Sequence, residues 1–461
     1  MIGASLLAGS GISKKNASLA VHPEVNRTSP SAPRTRTELR PHRRLSMLKS
    51  RPSVPRPLYW QTSAHRSPIP SWAVRRKRDM SDTSHPGSDT LFRPPAGYLD
   101  AIGGQPATDP VRASMTAALD RAWSDPARLH HPGRTAGAIL DASRASLAGY
   151  LGLRPADLYL AGSAAEGLAM VIGGVTRSRV AAGCGPRLVH TSVESFAVIG
   201  ACAMTPDAEI VVVDVTSTGA VDPDVLGAAL TPDTALVCVQ AANAEIGTRQ
   251  PLDGVHSRCQ AMGIPLVVDA AQVIGRGPVP TAWDVLVCAG RDWGGVPGAA
   301  FVAVRPGIRW TPPLAPDRGW LGGFPDIPAA AACAAALEVL APHVGSMAQE
   351  QHALVATLRE SLPQRIPGLV VLGDPHERLP HILTMVLESG VGEEVVIALG
   401  RRGISIASGS ACTADAARAS HVVEALGYRG LASIRISLPF GCTAQTVEEF
   451  ADALCEVVTP G

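Results

Sequence analysis

Lysine is missing from most of this sequence. Lys14, Lys15, Lys49 and Lys77 are followed by none as far as Gly461, so every cationic side chain beyond Lys77 is Arg, apart from the histidines. That removes the primary amine, the side chain that condenses with carbonyl groups, from more than three quarters of the chain. Charge imbalance is also missing. A net charge of +1 over 461 residues gives no electrostatic argument for a nucleic acid partner. No run of about eighteen apolar residues is present, so no membrane span is expected. The nine cysteines, Cys184 to Cys455, are odd in number and scattered, with no CxxC pair. That argues against a disulfide framework or a metal site and suits a reducing, cytoplasmic setting.

What is present is enough for a large core. The chain is 46% hydrophobic and long enough for two or three domains. Residues 1–90 stand apart: they are rich in Arg, Pro and Ser, with only Glu24 and Glu38 as acids before Asp79. Such a segment cannot bury enough apolar surface to offset its ordering entropy, so a disordered leader is expected, with Met80 as the functional start. An organelle transit peptide has the same composition and stands as the alternative.

From Tyr98 the pattern becomes regular. Helical spacing runs over Val111–Trp123 and Arg134–Leu151. Strand-like runs follow at Leu158–Ala161, Arg187–His190, Glu209–Val215, Ala235–Gln240, Pro265–Asp269, Asp284–Cys288 and Ala300–Val304, with helix-length segments between most of them. This alternation predicts an α/β fold with a mainly parallel large sheet over residues 91–340. An Ala-rich helix, Ile327–Leu340, with Pro342 to stop it, leads to a smaller α+β domain at 341–461. No internal repeat is evident.

The stretch Pro265–Gly298 organises the rest. One apolar run ends on Asp269, with Gln272 three residues later, and the next ends in Ala289-Gly290-Arg291-Asp292-Trp293-Gly294-Gly295. Ligands in such sheets sit at the carboxyl ends of strands, which makes this an acid and a Gly-rich turn at a candidate site. A capping Asp and an ordinary loop are the plain alternative.

Seven stretches in order then carry a resemblance: YLD (98–100), LHHPGR (129–134), ANAEIGT (242–248), VDAAQ (268–272), SGSACT (408–413), SHV (420–422) and SIRISL (433–438). Together the chain resembles the cysteine desulfurases of the class V aminotransferase family, with the fold type I architecture of pyridoxal phosphate (PLP) transferases. The resemblance implies that Asp269 pairs with the pyridine nitrogen, and that Gln272 and Asn243 face the ring's phenolic oxygen. It implies that Arg435 grips the substrate carboxylate in a bidentate fork and that Cys412, on a mobile loop, takes sulfur as a persulfide. Each has a bland counterpart: a turn-capping Asp, a solvated strand Arg, a small buried Cys.

The sequence departs from the family where the cofactor is anchored. Where the family has a His-Lys pair, whose Lys forms the Schiff base with PLP, this chain has Arg291-Asp292. The ring-stacking His is Ser195, beside Phe196, which strand alternation would aim elsewhere. Three phosphate-holding hydroxyls correspond to Ala165, Ala289 and Phe324. Each lost contact is worth about 1–3 kcal/mol. The resemblance thus implies a homodimeric member of sulfur metabolism with a degraded PLP site. It would be a low-activity or non-catalytic pseudoenzyme, working beside an active homologue or a sulfur-acceptor protein. The alternative is an active enzyme that holds PLP non-covalently or relays persulfide sulfur through Cys412.

Overall fold

The structure, a computed structural model, describes residues 91–313, 316, 319–387, 392–409 and 420–458. The expected leader and Cys412 lie outside the described residues. Seven strands form the larger sheet: β1 (Leu158–Ala161), β2 (Arg187–Thr191), β3 (Glu209–Val213), β4 (Thr234–Gln240), β5 (Leu266–Asp269), β6 (Val285–Ala289) and β7 (Ala300–Val304). Their spatial order is β1-β7-β6-β5-β4-β2-β3. β2 to β6 run parallel, and β7 is antiparallel to both its neighbours. Every residue of β4, β5 and β7 is buried. These near-continuous apolar runs belong to strands covered on both faces. Helices Ala164–Ala181, Phe196–Ala203, Pro223–Ala229 and Leu252–Ala261 make the crossovers that parallel pairing requires.

Parallel pairing sets the site. Gln240 lies opposite Asp269, and Asp269 opposite Val287, so β4, β5 and β6 end at one edge. The chain leaves β6 through a single tight turn, Gly290–Trp293, before returning as β7. Trp293 pins that turn: its indole donates to Cys333 O at 3.0 Å and stacks on Phe301 at 5.6 Å.

A second, antiparallel sheet has the order β10-β11-β9-β8, from Leu369–Val371 (β8), Ile382–Leu387 (β9), Ala407–Ser408 (β10) and Ala432–Ser437 (β11). Helix Ala444–Val458 closes its core with Val447, Phe450, Ala451 and Leu454, a single apolar stripe. Leu99 joins this core, and Asp100 bridges to Ser437. We propose a domain division near residue 340, with Tyr98–Asp100 crossing it.

Helix Ile327–Leu340 has the bounds expected, and Pro342 lies just beyond it in a short turn, Ala341–His343, that leads straight into helix Val344–Arg365. The continuous run Ile327–Arg365 is long and apolar enough to cross a membrane, but 56% of its apolar window is buried, as in a core helix. One expectation is corrected: Phe196 is not placed by strand alternation. Ser195 caps helix Phe196–Ala203 by accepting from Val198 N, which places Phe196 in the first turn against the His421 ring at 4.7 Å.

Close packing of helix Ile327–Leu340 under the Gly290 turn depends on missing side chains. A Cβ on Gly290 would lie 2.1 Å from Cys333 Sγ. Gly290→Ala is expected to destabilise the protein by about 1–3 kcal/mol in denaturant unfolding, and Cys333→Ala added to it is expected to recover part of that loss. Additive effects of the two changes would refute the contact.

Candidate functional site

Asp292, which the resemblance sets at the family's lysine position, is 7% exposed. Its Oδ1 accepts from Gln272 Nε2 at 2.9 Å and its Oδ2 from the Gln272 backbone N–H at 3.4 Å. Burial pushes its carboxyl up to about 6, against the pull of Arg291, the Gln272 N–H and Arg276. Arg291 acts on it through charge at a distance: its Nε is 3.9 Å from Asp292 Oδ1, while its Nη2 donates to Ile102 O at 2.6 Å. The Gln272 amide is used at both ends, since its Oε1 faces His381 Nε2 at 3.4 Å. Gln272 also holds φ 62°, a left-handed conformation unusual for a residue with a Cβ. Such backbone costs on the order of 1 kcal/mol and persists only where neighbours fix it.

Asp269 stands at the end of β5. Its Oδ1 accepts from Ala271 N at 3.0 Å and its Oδ2 from Ser195 Oγ at 2.8 Å. Burial raises its carboxyl, while both hydrogen bonds lower it. Ser195, which the resemblance sets at the ring-stacking His, therefore serves both the helix cap and this carboxylate. Asn243 spends its amide on the backbone, donating to Val193 O at 3.0 Å and accepting from Glu245 N and Ile246 N. Below it, Glu194 is fully buried and pushed up to about 8 by burial, although Thr191 Oγ1 and Gln240 N donate to it.

Arg435 is no solvated strand residue. It lies on β11, between β10 and β9, and is 5% exposed. Its Nη2 reaches Asp100 Oδ1 at 3.4 Å, and among the described residues its Nε has no partner. Ala165 lies in the first turn of helix Ala164–Ala181, where Ser163 accepts from Glu166 N while Glu166 Oε2 accepts from Gly162 N. Ala289 ends β6, and Phe324 is 61% exposed on a loop. Asp269, Ser195, Gln272 and Asp292 are thus brought together, with Asn243 beside them; Cys412 is outside the described residues.

Sequence reasoning missed His381 and Arg276. His381, ahead of β9, is fully buried, with its imidazole pushed well below the usual range by burial and by Arg276, Arg435 and Arg249. Arg276 is buried as well. Its Nη1 donates to Gln351 Oε1 at 2.9 Å and Leu438 O at 3.1 Å, and its guanidinium lies 3.8 Å over the Phe440 ring. Burial lowers it to about 9. A cation four residues after Gln272, inside an apolar stretch, was the available signal.

The comparisons agree with this architecture. The class V aminotransferase family profile matches residues 97–311 and 315–450. A cysteine desulfurase from Nostoc sp. is 30% identical over 362 residues, covering 76% of this chain and 89% of that one. Cysteine desulfurase 2 of Trichormus variabilis is 28% identical over 372 residues, 79% and 92% of the two chains. Among solved structures, a NifS-like protein superposes with a TM-score of 0.72 at 23% identity, covering 78% of this chain and 99% of that one. An apo cysteine desulfurase from Thermococcus onnurineus NA1 gives 0.71 at 19%, covering 79% and 94%. With the family profile spanning most of the described chain, and with its β4–β6 strand ends carrying the site, the chain belongs to the class V aminotransferase family and is cysteine desulfurase-like.

Proposed function

We propose that this protein is a cysteine desulfurase-like homologue with a degraded PLP site, of low activity or non-catalytic, in which Asp292 replaces the Schiff-base lysine. The family uses pyridoxal phosphate as its cofactor. The residues here do not fit a covalently anchored one. The observation that carries the reading is Asp292. It is a buried carboxylate at the amine's position, held on both oxygens by Gln272, in a chain with no lysine beyond Lys77. A second carboxyl, Asp269, lies close enough to raise that of Asp292 further, which disfavours a phosphorylated aldehyde there. Ala165, Ala289 and Phe324 offer no hydroxyl to a phosphate.

In this reading Arg435 retains the substrate-carboxylate position and Cys412 the persulfide position. That no described residue partners its Nε supports Arg435 as a ligand-facing group. Homologous cysteine desulfurases are generally dimers. A homodimer interface here would cover Leu129, Trp123 and Phe324, large apolar side chains that the single chain leaves exposed. A sulfur-acceptor protein or an active relative would complete its role.

PLP added to the purified full chain is expected to produce no stoichiometric visible band, with or without L-cysteine. A stoichiometric band without amino acid would sink the reading. Asp292→Lys is expected to gain such a band in part, because it restores the amine alone; spectrophotometric titration measures how much.

Protonation gives a second test. The Asp292 carboxyl sits at about 6 in the folded chain against an ordinary 3.8. An acid raised on folding binds its proton more tightly in the folded state. Its stabilisation therefore grows as pH falls from about 6 towards 3.8 and is lost as pH rises through that window. Wild type is expected to gain on the order of 3 kcal/mol over Asp292→Asn across it, measured by denaturant unfolding at stepped pH. A difference that does not change with pH would contradict the buried, raised acid.

A further inference from the structure

Among the described residues, positive charge gathers around an opening that no acid lines. An opening of 370 Å³ is lined by Arg249, Arg276, Arg378 and His352, around Pro278, Ala348 and Pro380, and no acidic side chain lines it. Arg378 is buried, yet its guanidinium meets only neutral acceptors. Nε donates to Pro375 O, Nη1 to Leu379 O and Nη2 to His352 O, each at 3.3 Å. Its Nη2 also lies 3.4 Å from His352 Nε2. Arg359, behind it, donates to Leu372 O and Gly373 O at 3.0 and 3.1 Å. None of Arg249, Arg276, Arg359 and Arg378 has a carboxylate oxygen within 4.0 Å among the described residues.

These groups repel one another. Burial and Arg359 lower Arg378 to about 10. Burial, Arg378, Arg359 and His376 together hold the His352 imidazole below its usual range. The acids that act on them are Glu377 on Arg249, Asp374 on Arg359 and Asp292 on Arg276, none of which lines the opening. Asp374 is already engaged by the backbone N–H groups of His376 and Glu377. The result is a positive potential over a surface that an anionic partner would relieve.

The kind of anion follows from where the donors point. The Arg378 and Arg359 N–H groups are tied to carbonyls, so they offer field rather than a free fork for a small oxyanion. Between them the surface is proline and alanine. A chain segment with carboxylates spaced around a small apolar side chain matches both features, and charge complementarity of this kind sets encounter rate and specificity. The protein's own first 78 residues cannot supply it, because Glu24 and Glu38 are their only acids amid many arginines.

We propose that the opening between Arg249, Arg378 and His352 is a docking surface for an acidic peptide segment of a partner protein. The assignment is independent of whether PLP binds. The test is fluorescence anisotropy of a labelled peptide alternating Glu and Ala, titrated with the full chain at low and high salt. Binding is expected at low salt and is expected to weaken with salt, and the Gln-for-Glu peptide is expected not to bind. His352→Glu, on an exposed helix position, is expected to weaken binding about tenfold. Gln349→Glu, an exposed lining residue with no side-chain bond to lose, is expected to do the same, so a folding defect in one variant leaves the other decisive. Binding unchanged by both variants would overturn the proposal. So would equal binding of the Gln peptide, or displacement by inorganic phosphate at the peptide's own concentration, which would mark a small-anion site instead.

Discussion

A buried carboxylate must be met by donors or by a proton, and at Asp292 it is met by one residue, Gln272, through both its side chain and its backbone. The rest of the site follows from that pairing. Gln272 holds the left-handed backbone that brings its N–H round to Asp292, and its carbonyl end is left to face the His381 ring. His381 is surrounded by arginines that disfavour its protonation, so a neutral ring donating from Nε2 to Gln272 is the state burial selects. A chain of neutral donors running from His381 through Gln272 thus ends on the one acid, which burial holds close to neutrality. Gln272, which the resemblance would turn towards a ring oxygen, is hydrogen-bonded to Asp292 and faces His381.

The two sheets meet across the same residues. Arg276, at the foot of the Gln272 loop, reaches Gln351 on helix Val344–Arg365 and the carbonyl of Leu438 just past β11. Gln351 in turn donates to Pro439 O at 2.9 Å. Arg435 extends from β11 towards Asp100, and Ser437 Oγ accepts from Ile102 N. Ile102 O then receives Arg291. The turn that carries Asp292 is therefore tied to the second sheet through the segment at 98–102 as well as through Arg276. A substitution at 291 or 292 alters how the sheets are held together, and its effect on ligand chemistry and on packing has to be read separately.

Much of this was legible in the sequence, for definite reasons. Strands β1 and β7 have the bounds their apolar runs predict, and the other strands of the large sheet differ by one or two residues at their ends; burial on both faces leaves little ambiguity in the Val- and Leu-rich runs of β4, β5 and β7, while β3, mostly exposed, ends two residues short. Helix Phe196–Ala203 was not foreseen: its eight residues are almost wholly apolar and have no polar face to set a period, so only the Ser195 cap marks its start. Helix Val344–Arg365 was obscured by Pro342 before it and Pro363 within it. At the site, the spacing of Asp269, Gln272 and Asp292 could be read, but their bonds could not. Nothing in residue types tells that Gln272 turns to Asp292, or that Ser195 serves Asp269, because those contacts join residues 20 and 74 positions apart. Arg276 was missed because a cation in an apolar stretch reads as surface until its partners, 75 and 162 residues away, are known.

The same geometry changes what the surviving motif residues signify. Asn243 makes three hydrogen bonds to backbone groups that shape the turn after β4, and Asp269 closes the turn after β5 while receiving Ser195. Removing either would leave buried N–H or carbonyl groups unmet, at about 1–3 kcal/mol each. Their presence is thus accounted for by folding alone and does not by itself argue for cofactor chemistry. Arg435 is different. It is buried, and among the described residues its Nε has no partner and its one ion pair is a long contact to Asp100, with Glu245 near enough to feel its charge, so these neighbours do not account for its guanidinium in full. A charged group is costly to bury without donors and acceptors matched. Of the residues that the resemblance singles out and the structure describes, Arg435 is the one whose unmet hydrogen bond still asks for a ligand.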